Sequence, residues 1–215
     1  MILGHWDVRG NGQPVRTLLH YLGLKFKEIR YPDEKSWFEG GKPKLQSDFP
    51  NLPYLIDEGK TLTETQAILI YLVIKAKRLD LVGTSILEEI NFVQMRSFWA
   101  DIRDKIYEIA MDRKNGDVIN KFKEKVVPKL AMLEKHLNGK EFVCDKLTIM
   151  DFVIVEGLEW LELQGAGLLD GFSNLKALIK KVYSLPGVKE YVEKGDVPKY
   201  FLWESYANKE MKICY

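Results

Sequence analysis

A proline opens an apolar β run in Asp48-Phe49-Pro50-Asn51-Leu52-Pro53-Tyr54-Leu55-Ile56, and that limits what the segment can pair with. Proline has no N–H to give a ladder, so it belongs at a strand's start, at an edge or at a bulge. X-Pro is also the one peptide bond that takes the cis form at modest cost. The residue before it, Leu52, then has backbone groups able to pair with an extended peptide rather than with another strand. Leu62-Thr63-Glu64-Thr65-Gln66-Ala67-Ile68 follows at once, and it places a carboxylate and a hydroxyl where an amphipathic helix begins. A helix N-terminus favours anions. Together the two segments predict a small site for a short, charged, peptide-like ligand.

The flanking sequence supplies a frame for that site. Ile2, Leu3, Trp6 and Val8 mark a short strand, Gly10-Asn11-Gly12 a loop, and Pro14 the first turn of a helix through Val15, Leu18, Leu19 and Leu22. Gly23 stops that helix and Phe26 to Tyr31 reads as a second strand, before an irregular stretch from Lys35 to Ser47. A hairpin around Glu58-Gly59 and a helix over Gln66 to Lys77 complete a βαβ-ββα order of about 80 residues. Beyond Gly83 no β-rich run returns. Residues 86 to 114, 118 to 137, 149 to 163, 174 to 183 and 186 to 194 read as helices. The predicted organisation is an α/β domain over residues 1–82 and an all-α domain over residues 83–215. Thr148-x-x-Asp151 before Phe152-Val153-Ile154 has the spacing of a capping box and is read as structural.

At 215 residues, with 46% hydrophobic and 29% charged residues, the chain is long enough for these two small domains. A net charge of +1 argues against a nucleic-acid or membrane-surface partner. No apolar run is long enough to span a bilayer, and no secretory signal opens the sequence. Cys144 and Cys214 lie in no metal or redox motif, which suits free thiols in a reducing compartment and predicts a cytoplasmic protein without a metal.

Three stretches, in order, carry a family resemblance. The opening Met1-Ile2-Leu3-Gly4-His5-Trp6-Asp7-Val8-Arg9-Gly10 is similar to the mu-class start MILGYWDIRG, DFPNLPYLID at 48 to 57 resembles the same class, and Leu147-Thr148-Ile149-Met150-Asp151-Phe152 resembles its buried capping motif. The chain thus resembles the glutathione S-transferases, mu class, along its whole length. The resemblance implies a thioredoxin-like N-terminal domain, a helical C-terminal domain, glutathione as co-substrate, a small hydrophobic electrophile as second substrate, and a homodimer. It implies that Leu52, with Pro53 cis, pairs with the cysteinyl unit of glutathione, helped by Asn51. Glu64 and Thr65 would take the γ-glutamyl end, and Trp6, Trp37 and Lys42 would complete the pocket. Lys44 is the alternative to Lys42, because the alignment needs a one-residue insertion around Gly40-Gly41. Asp101 would reach the ligand's ammonium in the other subunit, and Phe49 would key into the partner's helices. Val8, Asn11, Arg103, Met111 and Trp203 would wall the electrophile pocket.

One departure bears on the chemistry: His5 stands where the family keeps its catalytic tyrosine, and Met111 where it commonly has an assisting one. A neutral imidazole can donate one hydrogen bond to a thiolate, and an imidazolium adds charge. His5 is therefore the catalytic candidate, directly or through one water, with space-filling beside Trp6 as the other reading. Lowering a thiol pKa by one unit is worth about 1.4 kcal/mol of differential stabilisation. The expected function is glutathione transfer; a catalytically weak glutathione- or ligand-binding protein is the alternative, and a purely structural dimer the third.

Overall fold

The computed structural model describes residues 1–111, 117–163 and 167–201, Met111 by its backbone alone. These residues form two compact units: Met1–Arg78 joined by the segment that begins at Leu185, and Leu79–Ser184.

The first unit is built on a four-stranded sheet in the order β2-β1-β3-β4, with β1 Ile2–Trp6, β2 Lys27–Tyr31, β3 Tyr54–Asp57 and β4 Lys60–Thr63. β1 runs parallel to β2 and antiparallel to β3, so it sits inside the sheet, with Leu3 opposite both Glu28 and Leu55. Crossover helix α1, Gln13–Tyr21, joins the parallel pair, as parallel strands require. The β3–β4 turn is Glu58-Gly59, both at positive φ (49° and 76°), the conformation of a two-residue hairpin with native twist. Helix α2, Thr65–Lys75, follows and packs on α1 through Ile68, Leu69, Leu72 and Val73, all fully buried. The stretch from Lys35 to Ser47, read as irregular, contains a wide helical turn over Ser36–Gly41 and a tighter one over Lys42–Lys44.

The second unit is helical: α3 Ile86–Met111, α4 Val118–Lys125, α5 Val127–His136, α6 Ile149–Leu163 and α7 Ser173–Tyr183. The single helix predicted over 118–137 breaks at Val126, because Pro128 has no N–H for the carbonyl four residues back, where its ring also clashes, and it is accepted only in the first turn of α5. Asp117 caps the first piece, accepting from the Asn120 N–H at 3.1 Å. Trp99 of α3 is buried against α6, where a methyl at Gly157 would stand 2.5 Å from its ring. The Thr148–Asp151 pair caps α6 as its spacing predicts, in altered form. The Asp151 carboxylate accepts from the Thr148 N–H (2.7 Å) and hydroxyl (3.1 Å), and from the Val143 N–H (2.9 Å).

A last helix, α8 Val188–Glu193, which follows the helical region in sequence, lies in the first unit. It packs on α1, with Tyr191 stacked on His20 at 4.1 Å between ring centres. Gly187 permits the approach: its φ is +79°, and a side chain there would stand 2.3 Å from the His20 carbonyl oxygen.

Candidate active site

The loop between β1 and α1 is held by a buried arginine. Arg16 on α1 is fully buried, and its guanidinium donates to the carbonyls of Val8 (2.9 Å), Trp6 (3.2 Å) and Arg9 (3.3 Å). Its Nε pairs with Glu28 of β2, which also accepts from Arg30 at 2.8 Å. A buried cation left unpaired is strongly destabilising, so this fork fixes β1, the loop, α1 and β2 against one another. Arg9 is buried too. Its N–H donates to the Tyr200 carbonyl (2.7 Å), and its guanidinium lies 4.0 Å from the centre of the Phe201 ring.

His5 lies in β1 and is 3% exposed. Burial first, and the Arg16 cation second, lower its pKa from 6.5 to about 3. The imidazolium that the sequence allowed is therefore excluded near neutral pH, and the neutral donor remains. A methyl at Gly12 would stand 2.5 Å from the ring, so the glycine is what lets the loop close over it. Nδ1 of His5 is buried without a hydrogen-bond partner among the described residues, an uncommon condition that folded interiors avoid.

The Leu52-Pro53 bond is cis, as predicted, and β3 begins only at Tyr54. Leu52 is held from below by an aromatic cluster of Trp37 and Tyr54, with Trp6 and Tyr31 beside them. Trp37 is only 3% exposed, with its ring nearly parallel to Tyr54 and edge-on to Trp6, so it packs beneath Leu52 rather than standing as an open wall. The hydroxyls of Tyr31 and Tyr54 meet at 3.0 Å. Lys42 is half-buried with Nζ 5.3 Å from the centre of the Phe38 ring, and Lys44 is exposed on the same turn.

Glu64, which begins α2, takes φ 69° and ψ 119°, a conformation that costs a non-glycine residue about 1–3 kcal/mol and gathers at functional sites. Its carboxylate accepts from the Asn51 amide at 3.0 Å, which brings these two predicted residues together. The Thr65 hydroxyl donates to the Asn11 carbonyl at 3.1 Å and so ties α2 to the β1–α1 loop. The first helical bond of α2 runs from the Ile68 N–H to the Glu64 carbonyl. The N–H groups of Thr65, Gln66 and Ala67 precede it and so have no carbonyl partner within the helix, the condition in which a helix end can meet an anion. The Gln66 side-chain carbonyl is buried there without a hydrogen-bond partner among the described residues.

Val8, Asn11, Asn51, Leu52, Pro53, Glu64 and Thr65 thus all belong to the first unit, on its β1–α1, β3 and α2 edges. In the second unit Asp101 pairs with Lys129 at 2.9 Å and Arg103 with Asp104 at 3.0 Å, both on exposed helix surface. Met111 ends α3 with its side chain outside the described residues, and Trp203 lies outside them altogether. Sequence reasoning missed Arg16, Gly12 and the strain at Glu64. The signal for Arg16 was there: a cation inside Val15-Arg16-Thr17-Leu18-Leu19, on a helix otherwise read as apolar, calls for a buried acid.

Comparison with known proteins agrees with this geometry on both units. Residues 1–73 match the family described as glutathione S-transferase, N-terminal domain, and residues 100–195 the glutathione S-transferase, C-terminal domain. The chain is 32% identical over 206 residues to a glutathione S-transferase of Tyrophagus putrescentiae, covering 93% of this chain and 92% of that one. It is 31% identical over 201 residues to glutathione S-transferase Mu 2 of Homo sapiens, covering 90% of each. A solved glutathione S-transferase of Caenorhabditis elegans superposes with a TM-score of 0.77 at 29% identity, covering 91% of this chain and 98% of that one. With both family domains present in order, and relatives above 30% identity along nine-tenths of its length, the chain belongs to the glutathione S-transferase family.

Proposed function

We propose that this protein conjugates the thiolate of glutathione to small hydrophobic electrophiles. The observation that carries the reading is the first unit's ligand edge: Leu52 lies outside the ladder, before β3 starts at Tyr54, beside a Glu64 that opens α2 at positive φ and holds Asn51. An extended tripeptide has main-chain partners at Leu52, and its γ-glutamyl end has a carboxylate for the ammonium and helix N–H groups for the carboxylate. Lys42 or Lys44 supplies charge for the glycyl carboxylate. His5 acts on the sulfur as a neutral donor, directly or through one water, and Val8 and Asn11 of the β1–α1 loop border the electrophile.

The protein works as a cytoplasmic homodimer in detoxification. Two features support the dimer. Phe49 is 76% exposed on the loop before β3, and a cavity of about 320 Å³ in the second unit is lined by Met95, Phe98, Met132, Leu133, His136 and Cys144. Phe49 of one copy fills that cavity of the other. Ile86, Leu87, Ile90 and Val93 of α3 are exposed alongside, an apolar stripe that association would cover. Asp101 then completes the neighbour's site, exchanging a surface pair with Lys129 worth at most about 1 kcal/mol for the ligand's ammonium.

A second reading, a glutathione-binding protein with little turnover, is favoured by the depth of His5. A conjugation assay with a chloronitrobenzene electrophile on glutathione-affinity-purified protein separates the two. Turnover supports the transferase, retention without turnover supports the binding protein, and no retention overturns both.

A further inference from the structure

The Arg16 fork is more than the reading above requires. A helix that only packed on the sheet would carry an apolar residue there, because replacing buried ion pairs by well-packed hydrophobic residues is often neutral or stabilising. This chain instead buries a guanidinium and points it at the end of β1 and the loop that follows: the carbonyls of Trp6, Val8 and Arg9. That loop carries Val8 and Asn11, and through Gly12 it closes over the His5 ring. Gln13 adds its side-chain oxygen at 3.5 Å.

We propose that Arg16 is the positioning residue for the thiol end of the site. By its planar fork it sets the place of loop 7–12 over His5, and so the register of His5 and the loop against the sulfur of bound glutathione. This rests on the glutathione reading. Arg16 touches neither substrate; it acts through the carbonyls it holds. The role belongs to the fork rather than to the charge, since three carbonyls and a carboxylate in four directions match a planar guanidinium and not a point ammonium. The charged and titratable groups around it are Glu28 and, beyond it, Arg30 and Asp7, together with His5 and Tyr191 of α8.

The test is Arg16→Lys in the full chain, which keeps the cation and removes the fork. Glutathione affinity by calorimetry stays within about twofold, because Asn51, Leu52 and Glu64, before β3 and at the start of α2, receive no hydrogen bond from Arg16. The maximal conjugation rate falls on the order of tenfold to a hundredfold, as expected for a reacting geometry displaced by an ångström or less. Amide hydrogen exchange of residues 7–12 quickens in the same variant. If Arg16→Lys does not fold, Glu28→Gln replaces it, since this loosens the guanidinium from the β2 side and spares its carbonyl contacts; the same split between rate and affinity is expected, at smaller size. A folded variant with wild-type rate, pH–rate profile and exchange in residues 7–12 would overturn the proposal. A parallel fall in rate, affinity and melting temperature would overturn it as well, by reducing Arg16 to a packing residue. If the wild type itself shows no conjugation, the glutathione reading fails, and exchange in residues 7–12 still decides whether Arg16 orders the loop.

Discussion

His5 is held neutral by its surroundings, and this has a consequence for stability. Its folded pKa of about 3 lies below the ordinary 6.5, so the unfolded chain binds the extra proton first as pH falls. The contribution is complete above pH 6.5 and is lost toward pH 3, at up to about 1.4 kcal/mol per pH unit. His20, also lowered by burial and by Lys194, adds in the same direction. Urea unfolding at pH 7 and pH 5 is expected to show a larger drop in wild type than in His5→Phe. An equal drop would mean that His5 is solvated. Burial pushes the Cys144 thiol up to about 11. In a Cys214→Ser background, iodoacetamide at pH 7.5 is expected to alkylate it on the order of a hundredfold more slowly than an exposed thiol.

Among the elements, α6 depends most on one side chain. Asp151 is fully buried and accepts from two backbone N–H groups and one hydroxyl. Asp151→Ala leaves both N–H donors buried and unpaired, at about 1–3 kcal/mol each, so denaturant unfolding is expected to show a loss of roughly 3 kcal/mol or more. Asp151→Asn keeps an acceptor oxygen and is expected to lose less. Burial pushes the Asp151 carboxyl up to about 6, against the hydrogen bonds from Val143 and Thr148 that favour its ionised form. Helix α8 has its own weak point: Gly187→Ala meets both a positive φ and the His20 carbonyl, and its expected effect is to lift α8 off α1. Faster amide exchange confined to α8 and to the end of α1 would show this.

For the whole molecule, association is the open quantity with the clearest measurement. Phe49→Ser removes the proposed key without touching the core, since the side chain is 76% exposed. Sedimentation is expected to show a dimer constant weakened at least about thirtyfold, the scale of an aromatic hot spot. Glutathione affinity should fall with it if Asp101 serves the neighbouring subunit. A wild-type chain that is fully active as a monomer would remove both statements.

The sequence by itself determined the order of elements, the cis-proline edge at Leu52-Pro53, the carboxylate at the start of α2 and the capping role of Asp151. Each is a local matter of backbone chemistry or of spacing along a few residues. The break at Pro128 was also local and readable, but helical periodicity on both sides hid it. Tertiary structure alone decided the rest. Arg16 meets Glu28 across 12 positions, and α8 meets α1 across more than 160, distances over which sequence carries no pairing information. The charge state of His5 was decided in the same way. Its imidazole has an ordinary pKa in any isolated peptide, and it becomes a buried, neutral group only because Gly12 lets a loop close over it and Arg16 holds that loop in place.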